Sequence, residues 1–404
     1  MFVFVTVVLD SMGIGIIMPV MPDLMEELSG EAIGGAAVWG GYLAFSYALM
    51  QFLFSPVIGA LSDQYGRRPV LLISLGLLGI DYLIMALAPT LWILFIGRVL
   101  AGISGATYST ATAFIADVTP KKERAAAFGL VGAAFGVGFV LGPAIGGLMG
   151  ELGTRAPFYA AAGLAFLNFA YGFFVLPESL APENRRPFAW SRANPLGALR
   201  QVARVPMVAW FILANFLYGI AHNVYPAVWS YYTKAQFKWS EAEIGLSLAA
   251  VGVAFAIVQG GLIKPILRTL GEVKTAIAAL AVSSVGMIGL AIASKGWMAY
   301  ALIPLTSFGA VATPAMTGLM ANRIPDNAQG ELQGVISSSQ AIVSVISPLL
   351  MTQLFGAFTR DGGAIFYPGA PFVAAAFIMA LALVPFLRGL AVTGRVDDAA
   401  REND

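Results

Sequence analysis

The chain has 404 residues, of which 58% are hydrophobic and 11% charged, with a net charge of +1 and a mean hydropathy of +0.80. Soluble domains carry about 25% charged residues, so this composition excludes a soluble globular protein and indicates one that crosses a membrane many times. The charge gives no sign of a nucleic-acid partner, and a chain with no cysteine and one histidine offers neither disulfides nor a zinc site.

Twelve segments are long and apolar enough to span a bilayer, which takes about 20 residues as a helix. We therefore predict an all-α membrane protein with twelve transmembrane helices at 1–20, 38–58, 70–88, 91–112, 125–150, 156–176, 206–228, 242–264, 272–293, 297–320, 331–356 and 368–388. The long polar interval 177–205 predicts a linker between two six-helix halves, 1–176 and 206–404, the second ending in a short tail.

Lysine and arginine set the expected orientation, because cytoplasmic loops carry an excess of them. Of the 23 such residues, seventeen fall on the side of the linker and the tail, five fall on the other side, and Arg98 lies inside a span. We expect both termini and the linker to be cytoplasmic.

The first span carries Asp10 in its middle, followed by the weak helix former GIGIIMPVMP. A carboxyl group inside an apolar helix is a candidate proton carrier, because burial favours its neutral form. The alternative is a carboxyl group satisfied by neighbouring polar groups.

The charged interval GALSDQYGRRPVL (59–71) joins the second and third spans. Gly66 permits a tight turn, and Asp63, Arg67 and Arg68 can form charge-assisted hydrogen bonds across helix ends. We expect a latch that holds one conformation of the protein. A basic loop that merely contains a turn is the alternative.

Two more charges lie inside spans, Asp81 in the third and Arg98 in the fourth. Each is seven residues from the loop that joins the two helices, which at about 1.5 Å per residue places both roughly 10 Å deep. An ion pair is therefore possible, either as part of a proton pathway or as a static structural pair.

The fifth span contains the run GVGFVLGPAIGG (136–147). Its glycines leave a flat helix face that another helix can approach closely, and Pro143 loosens the helix. Gly142 and Pro143 are thus candidate gating residues, with simple helix packing as the alternative.

The second half offers one histidine, His222 in the seventh span, and an unperturbed imidazole titrates near pH 6.5. An interior histidine without a titrating role is the alternative. Polar and aromatic side chains on apolar helices are candidates for lining a substrate cavity, with helix–helix contacts and lipid-facing rings as alternatives: Gln51, Asn215, Asn223, Phe255, Gln259 and Gln340.

An internal repeat emerges when the chain is shifted by 205 residues. Five pairs then coincide in equivalent places of the two halves: Gly66 and Gly271, Trp92 and Trp297, Pro120 and Pro325, Gly129 and Gly334, and Pro143 and Pro348. Two parallel six-helix repeats are typical of secondary transporters, which bind substrate near the midplane between the repeats.

These motifs resemble those of the major facilitator superfamily. The 59–71 loop resembles the signature G-x-L-a-D-r-x-G-r-r-p, and 136–147 resembles the G-x-x-x-G-P-x-x-G-G pattern of drug antiporters. Nearly the whole chain is similar to bacterial tetracycline/proton antiporters, through stretches such as LDSMGIGIIMPV (9–20), GRVLAGISGAT (97–107), IADVTPKKERA (115–125), LPES (176–179) and QGELQG (329–334).

The resemblance implies roles for individual residues. Asp10, Asp81 and Arg98 match intramembrane residues important for transport, and Gln51 and Gln259 match polar positions of the transport path. The gating loop is matched by Asp63, Arg67 and Arg68.

Two positions depart from the tetracycline exporters. Phe255 stands where they have a histidine, and Ser283 where they have an aspartate, two groups that belong to their proton and metal–drug chemistry. The departures argue against a magnesium–tetracycline chelate as substrate, and they leave His222 as the candidate for the titrating role in the second half.

The sequence therefore predicts a proton-coupled efflux antiporter for amphipathic small molecules, of the drug or tetracycline type, in a bacterial inner membrane. We expect a transporter and not an enzyme, working by alternating access as a monomer. We expect it to use the proton gradient, without a cofactor or metal. Alternatives are an exporter of one metabolite such as a siderophore, an importer of the same fold, and a membrane sensor.

Overall fold

A computed structural model of the chain describes residues 2–105, 107–120, 123–190, 206–325, 328–360, 362–363 and 365–401. These residues form two compact units, the first drawn from 1–195, 230–252 and 359–364 and the second from 196–229, 253–358 and 365–404. The predicted halves 1–176 and 206–404 stay a prediction, as does the linker 177–205, whose residues 191–205 lie outside the described part.

The structure describes eight α-helices before residue 176. They are α1 (Phe2–Ile17), α2 (Met21–Ser29), α3 (Ile33–Tyr65), α4 (Arg67–Leu87), α5 (Leu91–Ser104), α6 (Thr107–Val118), α7 (Arg124–Gly150) and α8 (Ala156–Val175). The short α2 was not predicted. It begins with Pro22 in its first turn and ends at Gly30, whose φ of 67° suits glycine.

Eight more α-helices follow the linker, which itself contains a 3₁₀ turn at Pro182–Asn184. They are α9 (Pro206–His222), α10 (Val224–Phe237), α11 (Glu241–Ile257), α12 (Ile263–Ile292), α13 (Gly296–Ser307), α14 (Ala312–Ala321), α15 (Gln329–Thr359) and α16 (Ala370–Arg401). A π-helical segment, Val258–Leu262, joins α11 to α12, and a 3₁₀ segment, Phe308–Val311, joins α13 to α14.

Every one of the twelve predicted spans coincides with helix. Within the described residues nine helices pass as membrane spans by length and apolarity, with the bent pair Phe4–Ile17 and Met21–Ser29 as a tenth. The difference from twelve has two causes. The eighth and ninth spans are counted as one stretch, Glu241–Ile292, although the backbone between them is non-helical at Gly271, and the fourth is divided into α5 and α6.

Large apolar side chains cover much of the surface. Phe174, Leu152 and Trp92 expose 83%, 81% and 74% of their area. Exposed apolar area on this scale is unfavourable in water but suits a protein surface that faces hydrocarbon.

Helix α7 packs on α1 through glycine. A Cβ at Gly142 would lie 2.5 Å from the Met12 carbonyl oxygen, and one at Gly146 would overlap the Ile16 carbonyl. The two backbones therefore meet directly, as predicted from the flat face of the glycine-rich run. The helix that carries Asp10 is thereby fixed against the helix that carries Pro143.

The repeat is visible in the backbone. Gly66, between α3 and α4, has φ 104° and ψ 160°, and Gly271 has φ 70° and ψ 169°. Both combinations belong to a region populated almost only by glycine. Trp92 and Trp297 each lie in the first turn of a helix, and Pro143 and Pro348 each lie inside one.

Candidate transport and gating sites

Asp10 lies in α1 without a hydrogen bond to its buried Oδ1 atom from any described residue. Two tyrosine hydroxyls, those of Tyr47 and Tyr82, lie close enough to interact with it electrostatically. Tyr82 packs against α1 at Gly13, where a Cβ would lie 3.2 Å from the tyrosine hydroxyl. None of the described residues forms an ion pair with Asp10 that would fix it in the ionised form.

Asp81 and Arg98 meet in an ion pair between Asp81 Oδ2 and Arg98 Nη2. Asp81 is only 1% exposed. Asp81 and Arg98 were predicted to lie at similar depths in the membrane, and the ion pair that this made possible is present. Asp81 therefore has a cation beside it, whereas Asp10 has no ion-pair partner among the described residues.

Arg67 is the centre of the 59–71 loop. Its Nη1 lies 2.7 Å from Asp63 Oδ1 and donates to Ser62 Oγ over 2.6 Å, and its Nε lies 3.1 Å from Asp117 Oδ2. Arg67 thus joins the end of α3 to the end of α6 through charge-assisted bonds.

Glu178, which follows α8, binds the beginning of α4. Its Oε1 accepts from the Arg67 backbone N–H over 2.8 Å, and its Oε2 accepts from that of Arg68 over 3.3 Å. A carboxylate at a helix N-terminus is stabilised by the exposed N–H groups and the helix dipole. Arg68 itself donates from Nη2 to the Phe173 carbonyl over 2.7 Å.

Asp117 and Glu178 were not among the predicted site residues. Each lies in a stretch that carries the family resemblance, IADVTPKKERA and LPES, and each is an acid at the end of an apolar helix. That position could have indicated a partner for the loop's arginines, but the sequence did not say which helix ends meet.

The candidate gating residues Gly142 and Pro143 lie at contacts of α7 with two helices. Gly142 faces α1, as described above, and the Pro143 carbonyl oxygen lies against Gly245 of α11. The two neighbouring residues thus pack against different partners.

His222 lies in a cluster of rings in the second unit. Its imidazole stacks on Tyr218 with a centroid distance of 5.3 Å and an interplanar angle of 14°. Tyr225 and Phe255 meet it edge-on, with centroids at 5.7 Å and 5.5 Å. The structure thus brings two predicted site residues, His222 and Phe255, into contact.

The remaining candidate cavity residues have different surroundings. Gln51 of the first unit donates to the Tyr47 hydroxyl over 3.3 Å and to the Gly105 carbonyl over 2.8 Å. In the second unit, Asn215 is buried and Gln259 is exposed on the π-helical segment. Asn223, between α9 and α10, donates to the Gly219 carbonyl of α9, and Gln340 approaches Gly219.

A second charged cluster was not predicted. Lys234 of α10 lies 2.6 Å from Asp23 Oδ1 and 2.5 Å from Glu26 Oε2, both on α2, within the first unit. Nearby, Ser230 Oγ donates to the Met18 carbonyl over 2.9 Å. Sequence reasoning missed this cluster because it treated the segment after the first span as a loop.

Comparison with known proteins defines the class of the molecule. The family model of the Major Facilitator Superfamily matches residues 3–348 and 211–403. The human organic anion transporter MFSD10 (TETRAN) has the same fold, with a TM-score of 0.70 over 95% of this chain and 98% of that one, at 23% identity. The chain belongs to the Major Facilitator Superfamily, so it is a multi-pass membrane transporter rather than an enzyme.

Bacterial resistance proteins are similar to the chain over most of its length. The tetracycline resistance protein, class C, of Escherichia coli is 42% identical over 353 residues, 87% of this chain and 88% of that protein. Multidrug resistance protein 2 of Bacillus subtilis is 29% identical over 382 residues, 92% and 90% of the two chains. The resemblance to tetracycline exporters predicted from the motifs is confirmed, and an inner-membrane location follows from it.

Proposed function

We propose that the protein exports amphipathic drugs, of the tetracycline type or broader, in exchange for protons. The relatives are named for resistance to tetracycline and to multiple drugs, which favours a drug over a single metabolite as the substrate. Transport occurs by alternating access between the two six-helix halves.

The observation that carries this proposal is the difference between the two intramembrane acids of the first unit. Asp81 is paired with Arg98, whereas the buried Oδ1 of Asp10 has no hydrogen-bond partner among the described residues. A carboxyl group with a buried, unpaired oxygen can take up and release a proton without breaking an ion pair, and its burial favours the protonated form. Asp10 carries the proton, and Asp81 with Arg98 forms a fixed ion pair of the proton pathway.

His222 is the second titrating group in this proposal. It lies among Tyr218, Tyr225 and Phe255, and rings of this kind suit the flat apolar part of an amphipathic substrate. Phe255 and Ser283 replace the histidine and aspartate of the tetracycline exporters, so the substrate enters without a chelated metal. Asn215, Asn223, Gln259 and Gln340 supply the polar contacts of the second unit, and Gln51 is the candidate polar contact of the first.

The 59–71 loop is the gate in this proposal. Asp63, Gly66, Arg67 and Arg68, with Gly142 and Pro143 of α7, hold one conformation and release it when the halves move. The protein works as a monomer in the lipid bilayer, with both termini cytoplasmic, no nucleic-acid partner, and the proton gradient in place of a cofactor.

Proton-coupled uptake into acid-loaded vesicles containing the purified protein and a trapped pH dye tests the proposal. Ethidium or metal-free tetracycline added outside should enter while the lumen becomes less acidic. Asp10→Asn should abolish the pH change while substrate exchange without a gradient continues, because Asn is shaped like the protonated acid but cannot titrate.

Glu183→Gln, at an exposed acid of the linker, is the matched control and should behave as wild type. His222→Phe, which keeps the ring contacts, should weaken coupling as well. If Asp10→Asn and His222→Phe both kept full coupling, the assignment of the proton sites would be wrong. Gradient dissipation by a siderophore or a sugar, and by none of the drugs, would refute drug export.

A further inference from the structure

Tyr47 of α3 lies against the Asp81–Arg98 ion pair. The guanidinium carbon of Arg98 lies 5.4 Å from the centroid of the Tyr47 ring. A cation above an aromatic face is attracted by the ring quadrupole, and more strongly where water is excluded. Arg98 therefore has two partners, a carboxylate and a ring, on two different helices.

The hydroxyl of Tyr47 has a defined orientation. Gln51, one turn along the same helix, donates to it over 3.3 Å and is itself held by the Gly105 carbonyl over 2.8 Å. A phenol that accepts one hydrogen bond can still donate its own hydrogen. Asp10, on α1, interacts electrostatically with this hydroxyl, and its buried Oδ1 lacks a partner among the described residues.

We propose that Tyr47 is a positioning residue of the proton pathway. Its ring holds Arg98 in place beside Asp81, and its hydroxyl, oriented by Gln51, donates to Asp10 when that acid has lost its proton. A donor at this place offsets part of the cost of a buried charge. The inference rests on the proposed function, because it gives Tyr47 a role only if Asp10 exchanges protons.

The ring and the hydroxyl of Tyr47 contact different groups, so two substitutions can test them separately. Tyr47→Phe removes the hydroxyl and keeps the ring on Arg98, whereas Tyr47→Leu removes both. Tyr42→Leu, on the same helix at an exposed tyrosine that packs edge-on against Trp39, is the matched control. Tyr82→Phe tests the other hydroxyl near Asp10.

The measurement is the rate of proton-driven ethidium uptake, together with ethidium exchange in the absence of a gradient. Tyr47→Leu should lower proton-driven uptake about thirtyfold, the combined rate equivalent of one cation–π contact out of water and one hydrogen bond, and leave exchange within twofold of wild type. Tyr47→Phe should lower uptake about threefold, the equivalent of one hydrogen bond, and Tyr42→Leu should change neither quantity.

Three results would overturn the inference. Equal loss of driven uptake and exchange in Tyr47→Leu would mean a merely structural role. Wild-type coupling in Tyr47→Leu, or loss in Tyr82→Phe with none in Tyr47→Phe, would assign the donor elsewhere. Full coupling in Asp10→Asn would refute the proposed proton site itself, which separates that failure from a failure of Tyr47 alone.

Discussion

The turns at Gly66 and Gly271 lie 205 residues apart and have the same glycine-only backbone, with φ of 104° and 70°. Just after the first, Arg67 binds Asp117 over 3.1 Å. The same shift of 205 residues takes these two positions to Glu272 and Asn322, and they too are bonded. Asn322 Nδ2 donates to both carboxylate oxygens of Glu272 over 3.2 Å.

The two copies therefore share the position of a contact and differ in its chemistry. In the first copy an arginine bridges two acids, and Glu178 covers the turn. In the second the arginine position is an acid, and Arg268 stands where Asp63 stood. No atom beyond its own helix and within the described residues comes within 4 Å of a Cβ built on Gly271. The repeat kept the fold of the loop while its charge network remained in one copy.

Asp10 and Asn215 show the same relation. They also lie 205 residues apart, and each has a buried Oδ1 without a hydrogen-bond partner among the described residues. The carboxyl group of Asp10 can titrate, and the amide of Asn215 cannot. The two copies thus share this position in the repeat, and only the first copy has an ionisable group there. That arrangement suits a transporter that moves a single proton at this position.

Removal of the central cation should have the largest effect and sharpen the comparison most. Arg67→Ala leaves Asp63 and Asp117 without their common partner, which costs about 2 kcal/mol, between the values for surface and buried pairs. Proton-driven ethidium uptake in vesicles should fall more than about tenfold. Glu272→Ala, the equivalent change, removes hydrogen bonds from an amide rather than an ion pair and should reduce uptake less than about threefold. Equal losses in the two variants would break the comparison.

Substitution of alanine for Gly66 or for Gly271 should have the next largest effect. Both substitutions force a side chain into a region that costs about 1–3 kcal/mol. Only at Gly66 would the new methyl group also collide with Glu178. The apparent melting temperature of detergent-purified protein should therefore fall more in Gly66→Ala than in Gly271→Ala. Gly129→Ala, at a helical glycine with open space around it, is the control. A larger fall in Gly271→Ala would contradict the contrast between a covered and an open turn.

The smallest effect is expected when the second copy is given the charges of the first. Glu272→Arg combined with Asn322→Asp should restore an ion pair at an exposed site, which is worth about 0–1 kcal/mol. Uptake and melting temperature should stay close to wild type, and either single variant should be slightly worse than the double. A strong gain or loss of transport in the double variant would show that the second loop also gates.

The sequence predicted the fold well because its signal is strong. Twenty apolar residues with few charges define a membrane helix almost regardless of context, and all twelve spans coincide with helix. The breaks inside them were not predicted. The apolarity of 91–112 does not reveal that the fourth span is divided at Gly105, whereas the two spans within 241–292 were predicted separately, in agreement with the non-helical backbone at Gly271.

The candidate site was predictable one residue at a time, and its contacts were not. Asp10, Asp81, Arg98 and the loop residues are conspicuous because charge is rare in this chain. Asp117, Glu178 and Lys234 lie at helix ends where charge is ordinary, so only the folded chain shows that they meet the loop or α2. The roles proposed for the site residues stay predictions until transport is measured.

The glycine contact between α1 and α7 has a consequence for how the chain is made. A charged residue at the centre of a lone helix costs about 2.5–3.5 kcal/mol on insertion scales. The helix that carries Asp10 is synthesised before its neighbours Gly142 and Gly146, which follow more than a hundred residues later. Until then α1 lacks the backbone surface on which it finally packs, so Asp10 enters the membrane in its protonated form or waits at the insertion site for the fifth span.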